Sequence, residues 1–352
     1  MRIFRNKIKM KNIINIIIAC VSLSSCATAQ NVNKTEVKTD SIAEKMLVYQ
    51  LSNGGWPKQL HDKSVVKYEY PLTADLLEKI KATTEKHATI DNAATSREIN
   101  ALVLAFKNTG NQAYLKAAEK GIDYLLKAQY ANGGWPQYYP DKSSYRAEIT
   151  YNDNAMINAL TIMLNIAYKV NGFELVDTKY VSKAEDAMKR GVDCILKTQV
   201  VKNGKPTIWA AQYDENKLVP AKARAFEPAS LSTSESVGVV RFLMKLKNPS
   251  SEVKVAIKNA VDWFEGTKIV GLKYDKIGEK DKGLVSDVNA ISWARFYDLD
   301  TNKPIFGDRD NLIKNRIEDV SQERRYGYAW YGTFAQNLLA KDYPKWLKAN
   351  GG

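Results

Sequence analysis

Three stretches of the chain place charged side chains where connecting segments run into helices. Asp91-Asn92-Ala93-Ala94-Thr95 leads into SREINALVLAF, and Tyr151-Asn152-Asp153-Asn154-Ala155-Met156 leads into INALTIMLNIAY. Arg224 precedes Phe226-Glu227-Pro228 and then Ser232-Thr233-Ser234-Glu235, whose S-x-x-E spacing predicts a capping box at a helix start. An Asp at such a junction has two readings. It can cap the helix N-terminus, or it can join Asn amides and water as oxygen ligands of a hard cation such as Ca2+. Arg295, Arg309 and Arg324 follow among aromatics, in WARFY, FGDRD and QERRY. Each alone reads as a surface or ion-paired arginine. Together they suit a polymer with one carboxylate per sugar, because a planar guanidinium binds carboxylates in bidentate fashion. Trp56, Trp135 and Tyr138 either stack on sugar rings or pack the scaffold.

The composition removes other chemistries. The two histidines, His61 and His87, are too few for a His-rich zinc site, and neither stands in a nucleophile context. There is no glycine-rich phosphate loop. Cys20 and Cys26 fall in the first thirty residues, and Cys194 sits in a helical pattern, VDCILKTQ, as a small core residue. No disulfide within a mature chain is expected.

Residues 1–29 read as a secretory signal: Arg2, Arg5, Lys7, Lys9 and Lys11, then an apolar run from Ile13 to Leu23 that is short for a membrane span. Leu23-Ser24-Ser25-Cys26 resembles a lipobox, with Cys26 lipidated and anchored to a membrane, while Ala27-Thr28-Ala29 is an ordinary A-x-A site. Both imply export, as a periplasmic or outer-membrane lipoprotein or as a secreted protein. Residues 30–40 read as a flexible leader, and 41–352 as one catalytic domain, expected to be a monomer. Without the five leader cations the net charge of +13 falls to +8. That favours an acidic partner, here a polysaccharide and not a nucleic acid.

The elements that must position these side chains come from a repeat. Met46-Leu47-Val48-Tyr49-Gln50-Leu51-Ser52-Asn53-Gly54-Gly55-Trp56-Pro57 is echoed by Leu125-Leu126-Lys127-Ala128-Gln129-Tyr130-Ala131-Asn132-Gly133-Gly134-Trp135-Pro136. A third copy runs from Gly191 to Gln199 with Trp209 as a displaced aromatic, and Ala260-Val261-Asp262-Trp263-Phe264 is a degenerate fourth. Each unit is a helix ending in Gln, a Gly-Gly turn, and a Trp that packs back over it. Second helices lie between copies at about 94–107, 154–169 and 232–246. Hairpins repeating roughly every 70 to 80 residues predict an all-α fold, an α/α toroid or incomplete α/α barrel, with junctions lining a cleft at one end. From Thr267 to Arg325 the periodicity breaks, which predicts long loops over that cleft. Tyr328-Ala329-Trp330-Tyr331 is expected to start the last helix.

The ordered motifs NGGWPKQ, DNAAT, GGWPQYYP, TYNDNAM, ARAFEPASLSTSES, WARFYDL, PIFGDRD and ERRYGYAWYG resemble the pectate lyases of polysaccharide lyase family ten over nearly the whole mature chain. That resemblance implies calcium-dependent β-elimination of polygalacturonate on an α/α toroid. It implies that Asp153 is a calcium ligand and Asp91 a further metal or substrate contact. It makes Arg224 the base, with Arg295, Arg309, Arg324, Asn92 and Asn154 among the substrate-binding residues. An arginine base demands a lowered pKa, for which neighbouring cations are expected. Two other classes compete. One is a non-catalytic polyuronate-binding surface lipoprotein on the same toroid, which would lack the base. The other is terpene cyclisation, suggested by the Gln-to-Trp unit, which needs a D-x-D-D cluster that is not here.

Overall fold

Glutamine, glycine and tryptophan act together at the end of each outer helix. In the computed structural model, which describes residues 38–350, Gln50 follows helix α1 (Ser41–Tyr49) as its C-cap. Its side-chain amide donates to Gly54 O at 2.9 Å within its own turn and to Ala117 O at 2.8 Å in α4 (Gln112–Ala128). Gln129 at the end of α4 reaches Gly133 O at 3.0 Å and Ala187 O at 2.9 Å in α6 (Val181–Thr198). Gln199 at the end of α6 reaches Thr207 O at 2.8 Å and Ala256 O at 3.0 Å in α8 (Ser251–Gly266). Each glutamine thus ties its own turn to the next outer helix.

The glycine lets the turn come that close. Gly133 has φ +94°, and a Cβ there would lie 1.9 Å from Arg190 O on the backbone of α6. The tryptophans close the unit from inside. Trp56, Trp135 and Trp209 are fully buried, and their indole N–H groups donate to Met46, Leu125 and Ile195 O at 2.7–2.8 Å, in the last turn of the preceding helix. They are scaffold, not sugar platforms. Trp293 makes the same bond to Phe264 O at 2.9 Å, so the degenerate fourth copy is real, with Thr267 where a Gln would be.

The outer helices α1, α4, α6 and α8 pack in that order against an inner row, α3 (Ser96–Thr109), α5 (Ala155–Tyr168) and α7 (Thr233–Leu243). This is the helix-hairpin toroid the repeat predicts, with inner-helix bounds close to expectation. A short helix, α2 (Ala74–Ala82), is inserted in the first repeat. Cys194 is buried and free within α6. Among the described residues no helix is long and apolar enough to cross a membrane. The signal and Cys26 lie outside the described residues, as does most of the leader.

The all-α expectation needs correcting in the C-terminal quarter. Ile269–Gly278 and Asp281–Ala294 form a long antiparallel hairpin, joined by Tyr331–Gly332 as a third strand. A second sheet pairs Ile313–Lys314, Pro304–Gly307, Phe296–Tyr297 and Leu231–Ser232 in that order. The alternation is present in Leu272-Lys273-Tyr274-Asp275, where Leu272 and Tyr274 are partly buried and Lys273 and Asp275 are exposed. Tyr331 is therefore strand and not helix. The last helical segments are α9 (Gln322–Gly327), a π-turn at Leu338–Asp342 and α10 (Tyr343–Ala349).

The glutamine tie makes a direct prediction. Gln199→Ala strips two carbonyls, Thr207 O and Ala256 O, of their buried donor. It should lower unfolding free energy by about 1–3 kcal/mol, read as a reduced midpoint in urea. An unchanged midpoint would show that the outer row holds without it.

Candidate active site

Each inner helix is approached in the same way. The backbone N–H groups of Thr89, Thr150 and Ser232 donate to the carbonyls of Trp56, Trp135 and Trp209 at 3.1, 3.1 and 2.8 Å. This lays each pre-helix segment beside its repeat tryptophan. Beyond the first two of these bridges the chain makes a 3-10 turn, Asp91–Ala93 and Asn152–Asn154, with left-handed backbone at Asn92 (φ 49°), Asp153 (φ 51°) and Asn154 (φ 56°). Asn and Asp tolerate that region better than other side chains. These turns aim the junction residues outward, so neither Asp91 nor Asp153 caps its helix; Thr95 and Asn154 hold those positions without side-chain cap bonds.

The junctions open into one polar cavity of about 170 Å³, lined by Lys58, Asp91, Asn92, Gln137, Tyr145, Asn152, Asp153, Gln212, Arg224 and Glu227. Asp91, Asn92, Asp153 and Arg224 are thus brought together from three separate junctions. Asn154 is not among them. Its amide folds onto α7, where a Cβ on Gly238 would lie 1.9 Å from Asn154 Oδ1, and it lines a separate groove of about 380 Å³ between α5 and α7.

The two aspartates differ. Asp91 is buried and ion-paired with Lys58 Nζ, while its Oδ1 accepts from Asn92 N at 3.0 Å. Asp153 has no cationic partner within salt-bridge range; only Asn152 Nδ2 donates to it, at 2.9 Å. Burial raises its pKa, and the charges of Asp91 and Glu235 raise it further, against the smaller pull of Arg295. Asp153 is thus a carboxylate without a cationic partner that shares the cavity with Asp91 and with the side-chain amides of Asn92, Asn152, Gln137 and Gln212. Among the described residues no three His, Cys, Asp or Glu side chains are grouped to hold a metal. The donor set nevertheless fits a calcium ion, whose remaining oxygens come from Asn and Gln amides, water and a ligand carboxylate.

Arg224 faces the cavity but is held by Glu227. Its Nε donates to Glu227 Oε2 at 2.7 Å and its Nη2 contacts Oε1, while Tyr328 Oη donates to the same carboxylate at 2.9 Å. Hydrogen bonding to Glu227 raises the pKa of Arg224. The expected lowering by neighbouring cations is therefore reversed in this state. Those cations are present: the guanidiniums of Arg224, Arg324 and Arg309 lie 4.7, 4.8 and 6.0 Å from the ring centre of Phe226. Arg309 and Arg324, however, are both paired to Glu323.

Arg295 stands behind the cavity and not in its lining, near enough for its charge to act on Asp153. It donates to the buried Glu235 at 2.6 Å, stacks 5.2 Å from the Tyr328 ring, and leaves its buried Nε without a partner. Glu235 is thereby withdrawn from the expected capping box. Ser232 Oγ bonds the Glu235 carboxylate, and Ser232 N donates to Trp209 O instead.

With this geometry in view, the description pectic acid lyase matches residues 50–339. The chain belongs to the pectic acid lyase family. It is therefore a pectate-degrading lyase. A solved family 10 polysaccharide lyase from Cellvibrio cellulosa superposes with a TM-score of 0.78 at 35% identity, covering 87% of this chain and 91% of that one. An Asp-to-Ala mutant of the Cellvibrio lyase in complex with trigalacturonic acid matches at the same score and identity, covering 87% of this chain and 92% of that one. No curated protein matches the sequence.

Several residues of this lyase site were not singled out from sequence. Lys58 and Gln137 stand two positions after Trp56 and Trp135, as Arg295 does after Trp293. The repeat therefore held a signal for them, because the residue after each Trp pairs with the pre-helix segment and the next one faces the mouth. Glu227 and Glu235 were visible only as a turn residue and a helix cap. Their pairing with arginines distant in sequence or on the same loop is a tertiary fact.

The raised pKa of Asp153 has a signed consequence. A carboxylate whose folded pKa lies above its unfolded value destabilises the fold while ionised, and the penalty vanishes once both states are protonated. Asp153→Asn should raise the melting temperature of the metal-free protein near pH 7. That gain should shrink as pH falls and be gone below the unfolded Asp value of about 3.9. A gain that persists at acidic pH would instead reflect Asn's better fit to left-handed backbone.

Proposed function

We propose that this lyase cleaves polygalacturonate by calcium-dependent β-elimination at the cavity between Asp153 and Arg224. The observation that carries the reading is the unpartnered Asp153 carboxylate, with Asp91 and Glu235 near enough to raise its pKa and Arg224 on the same cavity wall. Asp153, with the amide oxygens of Asn92, Asn152, Gln137 or Gln212, holds the ion. Calcium bound there supplies charge that neutralises a uronate carboxylate and makes the adjacent C5 proton more acidic.

The chain's own side chains do the rest. Lys58 neutralises Asp91, which keeps the local negative charge to an amount one divalent ion can balance. Arg295, held on Glu235 behind the cavity lining, contributes positive charge that acts on Asp153. Arg224, once it has given up a proton to solvent and stands as neutral guanidine, accepts the C5 proton. The C5–H electron pair forms the C4=C5 double bond, the C4–O4 bond breaks, and O4 takes a proton from water, whose hydroxide the re-formed guanidinium neutralises. Because Glu227 stabilises the guanidinium cation, Arg224 acts as base only after substrate binding loosens that pair. The same pair favours a second reading, in which Arg224 supplies positive charge and orientation while the base lies elsewhere. Export follows from the basic-apolar N-terminus and a polymeric substrate, with Cys26 lipidation or A-x-A cleavage as the two routes.

Purified protein incubated with polygalacturonate should generate ultraviolet-absorbing unsaturated product, lose that activity in chelator and regain it with calcium. Undiminished turnover in excess chelator would sink the metal assignment. Arg224→Lys and Arg224→Ala decide between the two roles. If Arg224 is the base, both should lose roughly 10²–10⁴-fold in kcat with little change in KM. Retention of about a tenth of kcat by Arg224→Lys, a deficit of about 1.4 kcal/mol, would assign it to charge alone.

A further inference from the structure

The carboxylate of Glu323 receives two guanidinium forks at once. Arg309 Nε and Nη2 donate to Oε2 and Oε1 at 2.9 and 3.0 Å, and Arg324 Nε donates to Oε2 at 2.7 Å while its Nη2 contacts Oε1. Two planar donors converging on one carboxylate make a site matched to that group in charge and in shape. It stands beside the cavity, since Arg309 and Arg324 share the Phe226 ring with Arg224. The Arg324 side chain is 11% exposed, a fixed inner wall, whereas the Glu323 and Arg309 side chains are 57% and 62% exposed. The occupant is therefore the part of the site free to leave. A surface carboxylate that swings into water recovers its hydration, so its release costs little.

We propose that Arg309 and Arg324 form a seat for a uronate carboxylate of the substrate and that Glu323 is its resident competitor. The inference rests on the reading above that these arginines bind substrate. A substrate carboxylate enters by exchange: it takes over the same four donors and Glu323 turns outward. Affinity at this subsite is then the difference between two similar sets of bonds. That keeps binding of each uronate weak and favours release of the shortened, still anionic product. A methyl ester carries no charge and fewer acceptor lone pairs, so it does not displace Glu323 and gains nothing from the seat.

The test is calorimetric binding of tri- and hexagalacturonate, and of their fully methyl-esterified forms, in chelator so that turnover does not interfere. Glu323→Gln and Glu323→Ala should bind the free acids at least about fivefold more tightly, by removing the competitor, and the esters by much less. Glu318→Gln removes the same charge from an exposed residue paired with Arg316 and should leave all affinities unchanged. Unchanged or weaker binding of the free acids by both Glu323 variants would overturn the proposal, because Glu323 would then be holding the arginines in place for substrate. An equal gain in Glu318→Gln would also overturn it, by reducing the effect to net charge. Turnover measured separately keeps the two readings apart. Cleavage of polygalacturonate with no gain in Glu323→Gln removes only the seat, whereas a gain without any cleavage removes only the lyase chemistry.

Discussion

The side-chain amide that bridges one repeat to the next is the contact on which the remainder depends. A helix hairpin cannot bury both its faces alone, and stacking hairpins requires a defined spacing and rotation between outer helices. Gln50, Gln129 and Gln199 set both by bonding simultaneously to their own turn and to the middle of the following outer helix. The tryptophan that follows then locates the pre-helix segment by backbone hydrogen bonds. Junction residues on neighbouring inner helices consequently face one mouth as a result of the repeat, without any contact among themselves being needed to gather them.

Charge in that mouth is organised by pairing, and the unpaired group is informative for that reason. Arg224 is matched by Glu227, Arg295 by Glu235, Lys58 by Asp91, and Arg309 with Arg324 by Glu323. Asp153 is the exception: it lies near the charges of Asp91 and Glu235 and has no cationic partner of its own, so among the described residues it is the one acid of the mouth whose charge the fold itself does not balance. The pairs also preorganise the arginines, because Phe226 and Tyr328 hold the flat faces of their guanidiniums while carboxylates fix their edges. Catalysis by electrostatics needs this, since donors already in position do not have to reorganise as charge develops.

Much of this architecture could be read from residue order. The recurrence of Gln, Gly-Gly and Trp located the outer helices, the apolar runs after Asp91, Asp153 and Ser232 located the inner ones, and the junction acids and Arg224 fell into one cavity. The hairpin from Ile269 to Ala294 was less legible because its alternation is diluted by lysines and aspartates and its bulge falls at Gly271. The carboxylate partners were less legible. Glu227 and Glu323 lie close to Arg224 and Arg324 in sequence but occupy positions that local rules assign to a turn and a helix start, while the pairing of Glu235 with Arg295 and of Glu323 with Arg309 appears only in the packing. Asn154 failed for a related reason, since the left-handed turn that presents Asp153 to the cavity sends the next side chain against Gly238.

The long hairpin sits between Thr267 and Trp293, yet Trp293 still reaches the carbonyl of Phe264 as its counterparts do across turns of a few residues. The repeat therefore tolerates an insertion at this slot without loss of register. The far end of the inserted arm is bolted to α9, through Arg325 to Asp281 at 2.6 Å and Tyr274 Oη to Arg325 O at 2.7 Å. Because α9 carries Glu323 and Arg324, the arm behaves as a strut whose length sets how far the outer arginines stand from the cavity of Asp91 and Asp153. Lengthening or shortening that strut by a strand pair would move the outer wall of the cleft against an unchanged inner one. Groove width is thus an adjustable dimension in this fold, separable from the chemistry at its base.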